Sequence, residues 1–487
     1  MIPAALAVST AVWRELVILF VAIQLTFLLS RTTCNVFFHP LRKYPGPWYF
    51  AASRLPLTIA VLRGKAVYLR KALYAKYGPV VRVAPGELSY SDERVWSGIC
   101  GSTPHSKRGM ARHDSLFDLV GGEMMRKAFA PAVTTKALVP QQDLIVSHID
   151  ALVHKLVTMT SQPVDMVDML RFAAYNLFSE MFLGESMGLL DDTKYVDWVH
   201  SFPGFARATT IVAELQHYTI TRILLRFVIQ KFGKKHRELF IGVTQEHFDR
   251  RLAKKNTGGS DILAFAMDPK RQLTVGELRE FAPFIMMAGG ETTPTLETGL
   301  IYLLMTHIPA LEKLKAEIRG RFASDEDITM EALARLPYLN ACIDEAFRIH
   351  PPVATGLGRV VPHGGAEVAG RWVPGGTIVT VVHHSTFHSG INFHKPDAFI
   401  PERWLPENDH EFGNDIKSSL HPFSIGPQAC FGQDLARQVI RLNIGKLLLH
   451  FEMKLDKASE GWMENQQCFV GWIQPPLMAE LSVTQKG

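Results

Sequence analysis

The chain has 487 residues, 47% of them hydrophobic and 20% charged, with a formal charge of +5 at pH 7. That balance is ordinary for a globular protein, and no clustered Lys/Arg run, internal repeat or low-complexity tract points to a nucleic-acid binder or a disordered region. Five scattered cysteines, Cys34, Cys100, Cys342, Cys430 and Cys468, with no CxxC spacing, form neither a disulfide framework nor a zinc ribbon and suit a reducing compartment.

The residues from Ile2 to Leu29 are mostly apolar, interrupted by Arg14 and Glu15. The cleaner half, Leu16–Leu29, is short beside the roughly 20 residues a membrane span needs. No basic segment precedes it, which argues against a signal peptide. Arg31, Arg42 and Lys43 follow it, which places the downstream domain in the cytosol. Residues 1–43 are therefore expected to be a single anchor with its linker, and 44–487 one large domain. Tyr44-Pro45-Gly46-Pro47 stiffens the junction.

A helix is expected over Tyr68–Tyr77, stopped by Gly78-Pro79. A hairpin follows, Val80–Ala84 with Glu87–Tyr90, turning on Pro85-Gly86. Gly98 to Gly122 is polar and Gly-rich and reads as a long loop of the kind that carries function. Gln142 to Leu252 is helix-rich, with an amphipathic segment over Asp165–Leu183.

Thr274-Val275-Gly276-Glu277 is a capping box. Leu278, Phe281, Ala282, Ile285, Met286 and Gly289 then give an apolar face at helical spacing. Ala288-Gly289-Gly290-Glu291-Thr292-Thr293-Pro294 interrupts that helix, at about 1 kcal/mol per Gly and about 3 for Pro. The pattern predicts an opened turn with room for a small ligand and its water. An acid followed by a hydroxyl there makes Glu291 and Thr292 a proton-delivery pair.

Leu336–Ile349 reads as a helix ended by Pro351-Pro352. Glu345 and Arg348 share one of its faces in apolar surroundings, so the pair is expected to be buried and fully hydrogen-bonded. Pro401-Glu402-Arg403-Trp404 follows downstream. Seven histidines, His363, His383, His384, His388, His394, His410 and His421, have spacings that fit no zinc pattern.

The last motif is Phe423-Ser424-Ile425-Gly426-Pro427-Gln428-Ala429-Cys430-Phe431-Gly432. A helix is expected from Gln433 to about Leu449, and a thiol at its positive end favours the thiolate. A thiolate is a strong iron ligand, and in haem it favours O–O cleavage. Gly426 permits a turn with positive φ, and Gly432 lets a flat macrocycle approach the backbone.

Together these motifs, in this order, resemble the cytochrome P-450 family of haem-thiolate monooxygenases. The Cys loop matches Phe-x-x-Gly-x-Arg-x-Cys-x-Gly at Phe423, Gly426, Cys430 and Gly432, and departs from it at Gln428. The resemblance implies a mainly α fold with a small β-region, preceded by the anchor helix. It implies haem b with Cys430 as axial ligand, bordered by Arg126, Arg359, Phe423, Gly426, Gln428, Gly432 and Ala288. Glu291 and Thr292 would deliver protons to dioxygen, and Glu345, Arg348 and Arg403 would form a structural triad. The candidate substrate-pocket residues are His113, Phe117, Phe284, Thr355, Phe469 and Val470, with Leu116 and Val120 in the same roof. Ser201–Ile229 would be a mobile lid touching the membrane.

The implied partners are the membrane, an apolar small-molecule substrate and an NADPH-cytochrome reductase that passes electrons through its flavins, with cytochrome b5 as an alternative donor. No nucleic acid is implied. The implied location is the endoplasmic reticulum membrane with the catalytic domain in the cytosol. Lys395, Arg437, Arg441 and Lys446 are expected to offer the reductase a basic face. FFHPLRKYPGP and PERWLPEN resemble fungal secondary-metabolism members, whose substrates are terpenoids, polyketides or alkaloids.

Two departures from the family pattern bear on haem. Gly122 stands where a side-chain donor to a haem propionate is usual, and Gln428 carries no charge. Both weaken propionate contacts, so Gln428→Arg is expected to tighten haem binding. Two other readings stay open. A haem-thiolate isomerase or dehydratase would turn over without NADPH, and a non-enzymatic haem or ligand-binding relative would consume no O₂ coupled to product.

Overall fold

The computed structural model describes residues 2–101, 109–113, 123–219, 221, 241–254, 261–268, 270, 273–464 and 466–484. Phe117, Leu116, Val120 and Gly122 lie outside them. The longer helices are α1 (Ile2–Thr33), α2 (Gln142–Val157), α3 (Met166–Leu183), α4 (Phe202–Leu215), α5 (Val275–Thr306), α6 (Ile308–Arg321), α7 (Pro337–Ile349) and α8 (Gln433–His450). Their ends carry the expected signals. Asp165 caps α3, which stops at Gly184 in the left-handed region with φ 64°. Thr274 and Glu277 form the capping box of α5.

The core is organised along α5, which packs against α3, α7 and α8. Two glycines set the closest approach. A Cβ on Gly289 would lie 2.5 Å from the Phe178 ring, and one on Gly290 would lie 2.4 Å from the Tyr175 ring. The glycines therefore serve helix packing rather than an opened turn. α5 runs unbroken from Val275 to Thr306 despite Pro283 and Pro294. Packing against α3 supplies what the local propensities withhold.

The main sheet has five strands: β1 (Val80–Ala84), β2 (Glu87–Tyr90), β3 (Ala111–Arg112), β4 (Arg359–Val360) and β5 (Ile378–Val381), in the order β1-β2-β5-β4-β3. Only β2 and β5 run parallel in it. The β1–β2 hairpin forms as expected. The stretch from Gly98 to Gly122 is not one long loop, because Arg94–Cys100 is helical and β3 pairs with β4, placing Arg112 opposite Arg359. A second sheet joins Val164–Asp165, Met478–Val483 and Phe451–Leu455. The fold is thus mainly α with small sheets, as the motifs imply.

At the N-terminus, α1 continues through a π-helical turn at Cys34–Phe38. The apolar element is therefore longer than Leu16–Leu29. Val12–Phe38 has a mean hydropathy of 1.9, none of it is buried, and it is the one helix among the described residues long and apolar enough to cross a membrane. That is consistent with a membrane anchor.

The residues of the expected basic face are each engaged by partners within the chain. Lys446 is buried between Asp150 and Asp325, at 2.6 Å from the latter. Arg437 pairs with Asp344 at 2.9 Å, Arg441 donates to Asn340, and Lys395 pairs with Glu411 at 2.9 Å. The first half of the expected lid is also tied down. Arg54 donates to Glu214 at the end of α4 at 2.8 and 3.0 Å, and to Glu87 of β2 at 2.6 Å.

Candidate active site around Cys430

The Cys430 loop is closed on itself. The Cys430 amide donates to the Phe423 carbonyl at 2.8 Å, and the Ala429 amide to Gly426 at 3.0 Å. Gly426 has φ 75°, and a Cβ there would meet the Cys100 carbonyl at 2.3 Å, so both conformation and space demand glycine. Gly432 is the N-cap of α8.

Cys430 is solvent-accessible, although the segments around it crowd close. Burial pushes the thiol pKa up, while the Gly432 amide and Arg126 oppose the rise. A metal cation at the sulfur would favour the thiolate.

Two guanidinium groups converge on this loop. Arg126 donates to the Ala429 carbonyl and lies over the Phe431 ring. Arg359 is 1% exposed, donates to the side-chain oxygen of Gln428 and the Met110 carbonyl, and its Nε has no partner. Neither arginine has a carboxylate partner among the described residues. Arg126 is half-buried, but Arg359 is a cation taken out of water, which is costly without an anion, so the site calls for an anionic ligand. Haem, with a flat apolar body, an iron that takes thiolate and two carboxylates, fits this donor set.

Sequence reasoning did not single out Arg112. Its Nε donates to the Gln428 side-chain oxygen at 3.0 Å. A two-residue strand has no legible register, so nothing in the sequence brings Arg112 to Arg359.

Along α5, every residue from Thr293 to Met305 is buried, whereas Ala288 is exposed and Phe284 and Thr292 are half-buried. Phe284, Ala288 and Thr292 recur at i, i+4 and i+8, so they form an open stripe in the half of the helix that precedes its buried run. The Thr292 hydroxyl donates to the Ala288 carbonyl at 2.5 Å.

Glu291 points elsewhere. It is 5% exposed, accepts from the Tyr175 hydroxyl at 2.8 Å and lies 3.3 Å from Arg171 Nε. Burial raises its pKa, and Arg171 and Tyr175 pull it back. It has little direct access to solvent. Arg171 and Tyr175 stand four apart on α3, a charged residue inside an apolar run, and that spacing was the signal available for them.

The triad comes together in full. Glu345 accepts from Arg348 at 2.8 and 2.9 Å, from Arg403 at 3.1 Å, from the Trp404 indole at 2.9 Å and from the Ile400 amide at 2.8 Å. All three charged groups are completely buried, and Arg403 also pairs with Asp415.

The substrate candidates separate. His113 stacks on His217 with ring centroids 5.3 Å apart. Thr355 is half-buried beside Gly356. Phe469 is buried, with Arg207 of α4 over its ring, while Val470 leans on the main core. No group of three His, Cys, Asp or Glu residues suited to a metal ion exists among the described residues.

The comparisons with known proteins agree with this geometry. The Cytochrome P450 family model matches residues 122–482. The cytochrome P450 monooxygenase aneG of Aspergillus aculeatus is 35% identical over 458 residues, covering 91% of this chain and 86% of the relative. The cytochrome P450 monooxygenase efuB of Hormonema carpetanum is 33% identical, with 96% of each chain covered. Averantin hydroxylase of Dothistroma septosporum is 33% identical over 94% of this chain and 89% of its own. An accessible thiol with two guanidinium groups beside it, an open stripe on α5, and matches over nearly the full length lead to one assignment: the chain belongs to the cytochrome P450 family and is a P450 monooxygenase with haem b as its cofactor.

Proposed function

We infer that this enzyme inserts one oxygen atom of O₂ into an apolar intermediate of fungal secondary metabolism, a terpenoid, polyketide or alkaloid, or desaturates or epoxidises it. Electrons come from NADPH through a reductase at the endoplasmic reticulum membrane, where α1 anchors the chain with residues 44–487 in the cytosol. The observation that carries the reading is the accessible Cys430 thiol beside the buried Arg359 and the half-buried Arg126, neither with a carboxylate partner among the described residues.

Haem supplies the oxidising chemistry when bound, with Cys430 as its thiolate ligand. This chain's residues do the rest. Arg126 and Arg359 hold the carboxylates. The stripe Phe284–Ala288–Thr292 offers an apolar wall with one hydroxyl. Thr292 holds a proton at Oγ1, on the open face of α5. Glu291 holds one at its carboxylate on the adjoining buried face, kept in place by Arg171 and Tyr175. Water is excluded from that side by the packing of α3 on α5, which supports controlled rather than free proton entry.

The test is the carbon monoxide difference spectrum of the reduced protein beside Cys430→Ser. A Soret band at the red-shifted position of thiolate-ligated haem, lost in the variant, is expected. A blue-shifted band in the parent protein would overturn the assignment of Cys430. Turnover that proceeds without NADPH would favour the isomerase or dehydratase reading.

A further inference from the structure

Gln428 is the one departure from the Cys-loop pattern, and its side chain is engaged. Its Oε1 accepts from Arg112 Nε at 3.0 Å and from Arg359 Nη1, and its backbone carbonyl lies 3.5 Å from Arg112 Nη2. Arg112 and Arg359 are direct cross-strand partners on β3 and β4. Like charges directly opposite one another destabilise a strand pair. Here a neutral oxygen lies between them, satisfying a donor of each without cancelling either charge. Arg359 is buried with Nε unpartnered among the described residues, and the Cys100 sulfur lies 3.9 Å from its Nη2. The arrangement makes sense if the Nε of Arg359 serves an anion bound at the same place.

We propose that Gln428 is a neutral clamp that holds Arg112 beside Arg359 at the haem-carboxylate end of the site, so that Arg112 supplies the cation the family motif places at 428. The charge has moved from the Cys loop to the edge strand β3, and the glutamine is its positioning residue. The proposal rests on the reading of Cys430 as the haem ligand. It also reverses the expectation from sequence. An arginine at 428 would remove the shared acceptor and set a third guanidinium against two others.

The test is haem loss from the full-length holoprotein to excess apomyoglobin. Arg112→Gln is expected to lose haem about tenfold faster, the scale of one charge-assisted contact. Gln428→Arg should also lose it faster than the parent protein. The exchange Arg112→Gln with Gln428→Arg should return to within about threefold of the parent, because the two sites are coupled. Circular dichroism and the Cys430 thiolate band check that each variant is folded. If Arg112→Gln fails to fold, Arg112→Lys takes its place, keeping the charge and losing the planar fork, and should also shed haem faster. Haem loss at the parent rate in Arg112→Gln, or in its Lys substitute, slower loss in Gln428→Arg, or no recovery in the exchange would each overturn the proposal. A parent protein with no thiolate band would overturn the Cys430 reading itself, and this proposal with it.

Discussion

Glu291 and Thr292 are neighbours in sequence but face different surroundings. Thr292 belongs to the open stripe, whereas Glu291 is buried against α3 and held by Arg171 and Tyr175. If Glu291 delivers protons, Glu291→Gln should lower product formation about a hundredfold or more, the usual scale of a positioned acid or base. Its thermal midpoint should fall, since the buried Arg171 loses its anionic partner. Full turnover in that variant, measured with reductase and NADPH, would remove Glu291 from the reaction. Tyr175→Phe takes away one donor to Glu291 and should cost about 1 kcal/mol of stability, read by urea unfolding.

At the scale of elements, the contact between α3 and α5 sets the geometry of the site. Gly290→Ala would drive a methyl into the Tyr175 ring and should destabilise by about 1–3 kcal/mol, seen as a lowered thermal midpoint. Gly204→Ala on α4 is the matched control, because nothing lies within 4 Å of the new Cβ. It should stabilise by about 0.5–1 kcal/mol. These same glycines show what the sequence could and could not convey. The capping box at Thr274 and the limits of α7 and α8 were legible because they are local signals. Gly289 and Gly290 read as an opening because the rings that need them come from α3, more than 100 residues earlier. Arg112 was invisible for the same reason, as its meaning depends on a strand register. The Glu345 knot was legible only because Arg403 stands in a motif of its own.

For the whole molecule, acid should be destabilising. His350 and His383 are buried and pushed down to about 4 by burial, and His384 and His388 lie well below the usual histidine range for the same reason. The unfolded chain binds these protons near pH 6.5 and the folded chain does not. Their contribution is therefore whole above pH 6.5 and lost as pH falls toward 4. Glu87, held at about 2 by Arg54 and Arg70 against the opposing effect of burial, acts in the same direction at lower pH. Glu297, buried and pushed up to about 7, works against them, as do Glu291 and Asp165, raised by burial, while His247, pushed down to about 4 by burial, adds to the histidines. Urea midpoints should fall steadily between pH 7 and pH 5. A flat profile would mean that the histidines are not neutral in the fold.

The Glu345 knot also has a kinetic side. Glu345 accepts from Ile400, Arg403 and Trp404, 55 to 59 residues further along the chain, as well as from its near neighbour Arg348. Loops of that length close slowly beside a helical turn, and several must close together. Helices such as α3 and α5 can form from local contacts long before the knot is tied. The segment leading into the Cys430 loop hangs from the knot, through Asp415 on Arg403. Refolding should therefore pass through a species rich in helix with no formed cysteine loop. Haem added early would meet such a chain, and haem uptake should lag the recovery of helical signal in stopped-flow refolding.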